Sequence, residues 1–177
     1  MTIPIVLIIF IVVLFVLNKS YSDIVPKNIG GTFVPDEILV QKGRVFQSSI
    51  TSLSKKYGFE PAMIAAQAVV ESAVNANAIG DGGKSKGIMQ IQKPAWEDGA
   101  NYINKSNYVY DTSWHIAPTN VEVAIGYHLF NANKSGVGDG DFLLRAYNGG
   151  LKGANSTAAK DYAKKVWAYY NAIKGVT

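Results

Sequence analysis

A strongly helix-forming segment, followed by a loop rich in glycine and asparagine, constrains this chain more than any other feature. Residues 61–73, PAMIAAQAVVESA, begin with proline and are rich in alanine, a composition that predicts a helix. Ile64, Ala68 and Glu71 are spaced i, i+4 and i+7, so they lie on one face of that helix. We therefore expect a carboxylate to share a helix face with apolar residues that point into a core.

The position of Glu71 predicts an acid with a raised pKa. It falls in the last turn, where the negative end of the helix dipole opposes a carboxylate by roughly 0.3–1 kcal/mol. Desolvation acts in the same direction, so both effects favour the protonated form near neutral pH. A protonated glutamate at a cleft edge can act as a general acid, and the alternative is a surface carboxylate at a frayed helix end. The following loop, residues 75–86, and the apolar turn at 87–91 are then expected to form a cleft wall.

Three sequence blocks carry a family resemblance. They are Glu71-Ser72 with Ala78 after it, then Gly87-Ile88-Met89-Gln90-Ile91, and then Ala146-Tyr147-Asn148-Gly149-Gly150 with Tyr162 beyond. Together, and in this order, they resemble the lytic transglycosylase domain of the soluble lytic transglycosylase family, a relative of goose-type lysozyme. The resemblance covers about residues 49–173. It implies a predominantly α, lysozyme-like (α+β) fold with a small β element beside the catalytic cleft.

The resemblance also implies a reaction. Enzymes of this family cleave the β-1,4 bond between N-acetylmuramic acid and N-acetylglucosamine in peptidoglycan without water, and leave a 1,6-anhydromuramoyl product. A single Glu acts first as acid and then as base, which places that role on Glu71. Tyr147 is similar to the tyrosine that hydrogen-bonds the acid, Gln90 to the amide that binds substrate, and Met89 to the residue that packs against the sugar or the acid. Ser72, Asn148 and Tyr162 complete the implied substrate-binding set, with local or core roles as their alternatives.

Two departures from the family pattern concern the loop after the helix. The family commonly has a substrate-contacting Ser where this chain reads Gly80-Asp81, and the loop is about one residue longer; Ser85 is a candidate replacement. Asp81 also leaves hydrolysis open, since a second carboxylate that activates water would make the site a lysozyme. A non-catalytic wall-binding membrane protein is a further alternative, and its mark would be the loss of Glu71.

The N-terminus predicts a membrane anchor. Residues 3–17, IPIVLIIFIVVLFVL, are uninterrupted by charge, too long for the core of a usual cleavable signal, and without a small-x-small cleavage pattern after them. We expect an anchor at residues 1–18, a linker at 19–35 and the lysozyme-like domain at 36–177. Lys19 and Lys27 would by the positive-inside rule keep the domain cytoplasmic. The wall substrate argues instead for a single-pass protein with an extracytoplasmic domain, or one in a virion membrane.

Composition limits the partners. A net charge of +4 and a pI near 9.1 suit an acidic wall polymer, an anionic membrane or nucleic acid. Nucleic acid is the weakest of the three, because no basic cluster with interleaved aromatic residues occurs. We expect peptidoglycan strands and lipid as partners, together with virion or envelope-machinery proteins if the chain comes from a membrane-containing phage or a trans-envelope machine. The absence of cysteine and the presence of two histidines, His115 and His128, predict no metal or cofactor.

Periodicity predicts the remaining helices. We expect one at residues 36–57, in one or two pieces broken near Gly43, with Ile38, Val45, Phe46, Ile50 and Leu53 as core candidates. A capping box at residues 119–122 predicts the start of another helix, and residues 141–147 a short helix that ends at Tyr147-Asn148. A final helix is expected from residue 156 to about 174, and residues 101–114 read as a loop that lines a groove. The motif GVGDGD at 136–141 lacks EF-hand spacing, so Asp139 or Asp141 is interpreted as an N-cap.

Overall fold

The computed structural model of the protein describes residues 33–175, so the predicted anchor and most of the linker lie outside the described residues. The helices are α1 (Glu37–Lys56), α2 (Pro61–Ser72), α3 (Lys93–Tyr102), α4 (Tyr110–Ser113), α5 (Ala117–Ser135), α6 (Gly140–Gly153) and α7 (Thr157–Lys174). The strands are β1 (Ile79–Gly80), β2 (Ser85–Lys86) and β3 (Ile91–Gln92). Within this part of the chain, no helix combines the length and the apolarity needed to cross a bilayer. The mostly helical architecture with one small sheet fits a lysozyme-like fold.

Helix α2 is the centre of the core. Its residues 61–69 are all buried, and it packs against α1 on one side and α7 on another. A helix that is apolar on every face is stable only when it is surrounded by protein. The alanine-rich sequence therefore gives both the helix and its central position, and it fixes where Glu71 emerges.

Helix α1 runs unbroken through Gly43, so the predicted helix is in one piece. Asp36 caps its first turn, where the Leu39 amide donates to Asp36 Oδ1 over 3.0 Å. Gly43 is buried, and a Cβ there would lie 2.5 Å from Ile173 Cδ1, so the glycine lets α7 approach α1 closely. Ile38 and Val45 are exposed, contrary to expectation, because they lie on the outer face of the helix.

The three strands form one antiparallel sheet in the order β1-β2-β3, where the sequence placed its β element. Ile79 pairs with Lys86, and Lys86 in turn with Ile91. Each strand has only two paired residues, so the sheet depends on side chains around it for support. Its position between α2 and α3 makes it one wall beside the end of α2.

Two glycines set the distance between α3 and α5. A Cβ at Gly99 would lie 2.4 Å from the Val123 carbonyl oxygen, and one at Gly126 would lie 2.4 Å from the Gly99 carbonyl oxygen. Backbone meets backbone at this crossing, which only glycine allows. The two helix backbones are therefore in direct contact at these glycines.

The predicted capping box at residues 119–122 is wrong. Helix α5 already begins at Ala117, with Ile116 at the N-cap position. Glu122 instead accepts hydrogen bonds from Tyr57 (2.6 Å), Lys56 (2.9 Å) and Tyr108 (2.9 Å). These donors come from distant parts of the chain, so Glu122 ties the end of α1 to the segment before α4.

Residues 101–114, expected to be a loop that lines a groove, are partly helical, since they include the end of α3 and all of α4, and residues between 101 and 111 line a second, smaller groove. Tyr110 is buried, and its hydroxyl donates to the carbonyl of Lys84 over 2.8 Å. The indole nitrogen of Trp96 donates to the Tyr108 carbonyl over 2.7 Å. The segment thereby supports the sheet from behind.

Candidate active site

A cleft of about 520 Å³ opens at the C-terminal end of α2. One wall comes from the sheet and its turn, with Asp81, Ser85 and Gln90. The opposite walls come from α3, through residues 94–98, and from α6, through Tyr147, Asn148 and Gly150. Glu71 lies in this cleft at the end of the central helix, so the acid predicted from sequence does face a solvent-accessible groove.

The Glu71 carboxyl is largely enclosed, and one hydroxyl group contacts it closely. The Tyr162 hydroxyl of α7 donates to Glu71 Oε1 over 2.5 Å. The pKa of Glu71 is raised from 4.5 to about 8 as the net result of burial, which raises it most, the hydrogen bond from Tyr162, which lowers it, and the charge of Asp81, which raises it. Because burial dominates, Glu71 is protonated at neutral pH while a donor stands ready for its ionised form.

Tyr162, not Tyr147, is the tyrosine bonded to the acid, and this corrects the sequence interpretation. The Tyr147 hydroxyl donates to the Met89 carbonyl over 2.8 Å instead. Tyr162 is 9% exposed and belongs to the core stripe of α7, while its hydroxyl reaches the Glu71 carboxyl. Tyr147 lines the cleft and holds the turn beside Glu71.

Three side chains hold the turn of residues 87–90, namely those of Ser72, Asn120 and Tyr147. Ser72 Oγ donates to the Ile88 carbonyl (2.8 Å) and more weakly to the Ala68 carbonyl of its own helix (3.3 Å). Ser72 therefore joins α2 to the turn, and it does not line the cleft. Met89 is completely buried, so its side chain packs in the core and cannot touch a sugar.

Asn120 is a residue that sequence reasoning missed at this turn. Its side chain accepts from the Met89 amide (2.9 Å) and donates to the carbonyls of Trp114 (2.9 Å) and Lys86 (3.2 Å). The side chain is fully buried on α5. One amide thus satisfies backbone groups that a two-residue strand cannot pair. The available signal is a polar Asn among apolar residues of a helix, but the sequence pattern places Asn120 inside the predicted capping box at residues 119–122.

Gln90 faces the cleft as predicted, although most of its amide is engaged. Its Nε2 donates to the carbonyls of Gly87 (2.8 Å) and Ala78 (3.0 Å). Only Oε1 is left to accept a hydrogen bond from substrate. A Cβ at position 80 would lie 2.5 Å from that Oε1, so Gly80 makes room for Gln90.

Asp81 lies at the tip of the sheet and lines the cleft. Its Oδ2 accepts a short hydrogen bond from Ser85 Oγ and a longer one from Gln92 Nε2 at 3.5 Å. The hydroxyl of Ser85 is therefore engaged by Asp81, so Ser85 does not present a free donor in place of the family serine. Asp81 remains a carboxylate exposed in the same cleft as Glu71.

Helix α6 bends at Gly150, a residue that lines the cleft. Gly150 has φ 65° and ψ 171°, a conformation almost confined to glycine. Asn148 is exposed two residues before this kink and lines the cleft. Asp139 caps the start of the helix as expected, since the Phe142 amide donates to Asp139 Oδ1 over 2.8 Å. The sequence Tyr147-Asn148-Gly149-Gly150 thus ends in a bend that presents its polar residues to the groove.

A buried polar pair lies under the tyrosines. His128 Nε2 and Gln67 Oε1 are 2.8 Å apart, and both side chains are 0% exposed. The His128 ring also packs against Tyr147, with 4.9 Å between ring centroids. From sequence, His128 is considered only as a metal ligand, with no indication of its partner Gln67. Within residues 33–175, no group of three or more His, Asp or Glu side chains could hold a metal ion.

A comparison with protein families gives one match. The family model described as "Transglycosylase SLT domain" matches residues 48–170, more than half of the chain. A comparison with curated proteins gives no match. The matched range contains the three sequence blocks and every cleft residue named above.

Proposed function

Because the chain belongs to the transglycosylase SLT domain family, whose members are lytic transglycosylases acting on peptidoglycan, we propose that Glu71 is its catalytic residue. The protein is an enzyme of this class. The observation that carries the role of Glu71 is its carboxyl group, which burial keeps protonated at neutral pH and which opens on a cleft. An acid in this state can give a proton to a leaving oxygen.

In the proposed first step, Glu71 protonates the glycosidic oxygen between N-acetylmuramic acid and N-acetylglucosamine. The C1–O bond breaks, and positive charge develops at C1 of the muramoyl ring. Glu71 becomes a carboxylate in a largely enclosed site, where an ion without a donor is costly. The Tyr162 hydroxyl supplies that donor at 2.5 Å.

In the proposed second step, the Glu71 carboxylate takes the proton of the muramoyl C6 hydroxyl while its oxygen bonds to C1. The product carries a 1,6-anhydro ring, Glu71 is protonated again, and no water is consumed. One residue serves both steps because its pKa, at about 8, lies close to physiological pH.

Three cleft residues are proposed to bind substrate, namely Gln90 through Oε1, Asn148 through its exposed amide, and Tyr147 through its ring. Ser72 and Met89 act on the turn rather than on the sugar, since neither lines the cleft. Tyr162 is proposed to act on the acid. In this proposal every predicted site residue keeps a role, but some contact the substrate and the others position the acid or the turn beside it.

Hydrolysis is the second candidate, because Asp81 lines the same cleft and its charge acts on Glu71. Mass spectrometry of digested peptidoglycan separates the two reactions, since a muramoyl product from hydrolysis carries one more water than the anhydro product. We expect anhydro products from the wild type, activity that falls above about pH 8, and no cleavage by Glu71→Gln. A folded Glu71→Gln with activity within a few-fold of wild type would contradict the assignment.

We also propose that the domain acts outside the cytoplasm, attached through residues 1–18. The position of the wall substrate supports this arrangement, and the basic residues Lys19 and Lys27 argue against it. Fusion of a topology reporter after residue 35 tests the orientation directly.

A further inference from the structure

Gln67 and His128 form a polar pair in a part of the core where apolar residues would be less costly. Both are completely buried, and Gln67 Nε2 and His128 Nδ1 have no hydrogen-bond partner of good geometry among the described residues. Burying polar groups without hydrogen-bond partners destabilises a fold, so the presence of this pair points to a purpose other than stability. Gln67 lies one helical turn before Glu71 on α2, and His128 packs against Tyr147 of the cleft, so the pair borders the proposed site.

The pair and the acid form one line of side chains. Gln67 and Glu71 are i and i+4 on α2, so they lie one above the other on one face of the helix. The Tyr162 hydroxyl contacts Glu71, and its interaction with the Gln67 amide acts to lower the pKa of Tyr162. His128 contacts the other end of the Gln67 side chain. The order is therefore Glu71, Tyr162, Gln67, His128.

The direction of each hydrogen bond in this line follows from the chemistry of His128. Burial lowers the pKa of His128 to about 3, so the ring is neutral and carries a single N–H. Gln67 Oε1 can only accept, so its 2.8 Å contact is a hydrogen bond when that N–H is on Nε2, and a hydrogen bond to the Leu143 backbone competes for the same proton. In that tautomer His128 holds Oε1, which leaves the NH₂ end of Gln67 to interact with Tyr162 and to lower its pKa, while the single hydroxyl proton of Tyr162 is directed to Glu71.

We infer that Gln67 and His128 are positioning residues that keep the Tyr162 hydroxyl as a donor to Glu71. This inference rests on the proposed function of Glu71. If His128 is removed, the Gln67 amide is free to rotate and to offer Oε1 to Tyr162. The hydroxyl then donates to Gln67, and the Glu71 carboxylate loses its donor.

The first test is a pair of substitutions, His128→Leu and Gln67→Met, made singly and together in the full-length protein. We expect His128→Leu to move the alkaline limb of the kcat/KM profile upward by about one pH unit, because the ionised form of Glu71 is less stabilised. The double variant has no Oε1 to compete for the Tyr162 proton, so its limb should return towards the wild-type position. Replacing both polar partners by apolar groups is close to neutral for stability, so we expect the double variant to fold.

Ser54→Ala is the matched control, since Ser54 Oγ is also fully buried without a hydrogen-bond partner among residues 33–175 but lies on α1. It should leave the pH profile unchanged. An unshifted limb in His128→Leu, or a double variant that stays shifted as far as the single one, would overturn the inference. A purely structural role of His128 predicts the second of these results.

Two NMR measurements decide the matter without relying on cleavage. The ¹⁵N shifts of His128 should show an Nε2–H tautomer, and an Nδ1–H tautomer would overturn the proposed direction.

The second measurement is the titration of Glu71 itself. The other titratable groups that act on the Glu71 site from neighbouring elements are Asp81 and Tyr147. The ¹³C carboxyl titration of Glu71, identified by its loss in Glu71→Gln, should show the same upward shift in His128→Leu. If Glu71→Gln proved active, the proposed function would fail while this titration still tested the inference.

Discussion

Replacing Glu71 with Gln should stabilise the protein, by an amount that depends on pH. The folded-state pKa is about 8, against 4.5 for an ordinary Glu. A raised pKa means that folding opposes ionisation, so the wild type loses stability as pH rises from 4.5 towards 8. At about 1.4 kcal/mol per pKa unit, the full effect is at most roughly 5 kcal/mol. Gln is neutral throughout and avoids the penalty.

The assay is urea unfolding followed by circular dichroism, repeated at half-unit steps from pH 4 to pH 9. We expect the two proteins to be nearly equal at pH 4, to diverge by up to about 1.4 kcal/mol per pH unit between 4.5 and 8, and to keep a constant difference above. Asp98→Asn, which removes an exposed carboxylate from the same cleft, controls for the loss of one negative charge. A difference that does not change with pH would refute the raised pKa, and with it the reason for choosing Glu71 as the acid.

Three further predictions concern other parts of the chain. Tyr162→Phe removes the donor to Glu71, so turnover should fall roughly tenfold to a hundredfold and the alkaline limb of the pH–rate profile should move to higher pH. Tyr147→Phe loses only the hydrogen bond to the Met89 carbonyl and should leave that limb in place. If Tyr147→Phe shifted the limb and Tyr162→Phe did not, the sequence-based assignment would be restored. Burial raises the pKa of Glu122, but hydrogen bonds from Tyr57, Lys56 and Tyr108 outweigh it and hold the pKa below 4.5; Glu122→Gln should therefore cost about 1–3 kcal/mol at pH 7, and urea unfolding should show the difference shrinking as pH falls below 4.5. A fragment that starts near Asp36 should be soluble and active on isolated sacculi, and a folded but inert fragment would show that the preceding residues contribute to the site.

Local sequence predicted the features that depend on local forces. The helix of residues 61–72, its end beside Glu71 and the Asp139 cap follow from propensity, spacing and capping chemistry. The small sheet was expected from the loop and turn at residues 75–91. These features need no knowledge of what lies across the core.

The misassignments concern choices made at long range. Tyr147 and Tyr162 both lie near the end of α2, and only the packing of α6 and α7 decides which hydroxyl reaches Glu71. Glu122 matched a capping pattern, but three donors distant in sequence engage it. Gln67 and His128 are 61 positions apart, and neither alone indicates a partner. Periodicity places a residue on a face but does not identify what it meets there.

The glycine crossing of α3 and α5 has a consequence for how the enzyme can grip a polymer. Gly99 and Gly126 bring the two backbones together with no side chain to compress or rotate. We therefore expect the cleft wall formed by residues 94–98 to be rigid. On the opposite side of the cleft, residues 81–84 form an exposed tip on a sheet of two-residue strands. We therefore expect substitutions in that tip to change the fit of the cleft to a glycan strand at less cost to the fold than substitutions at Gly99 or Gly126.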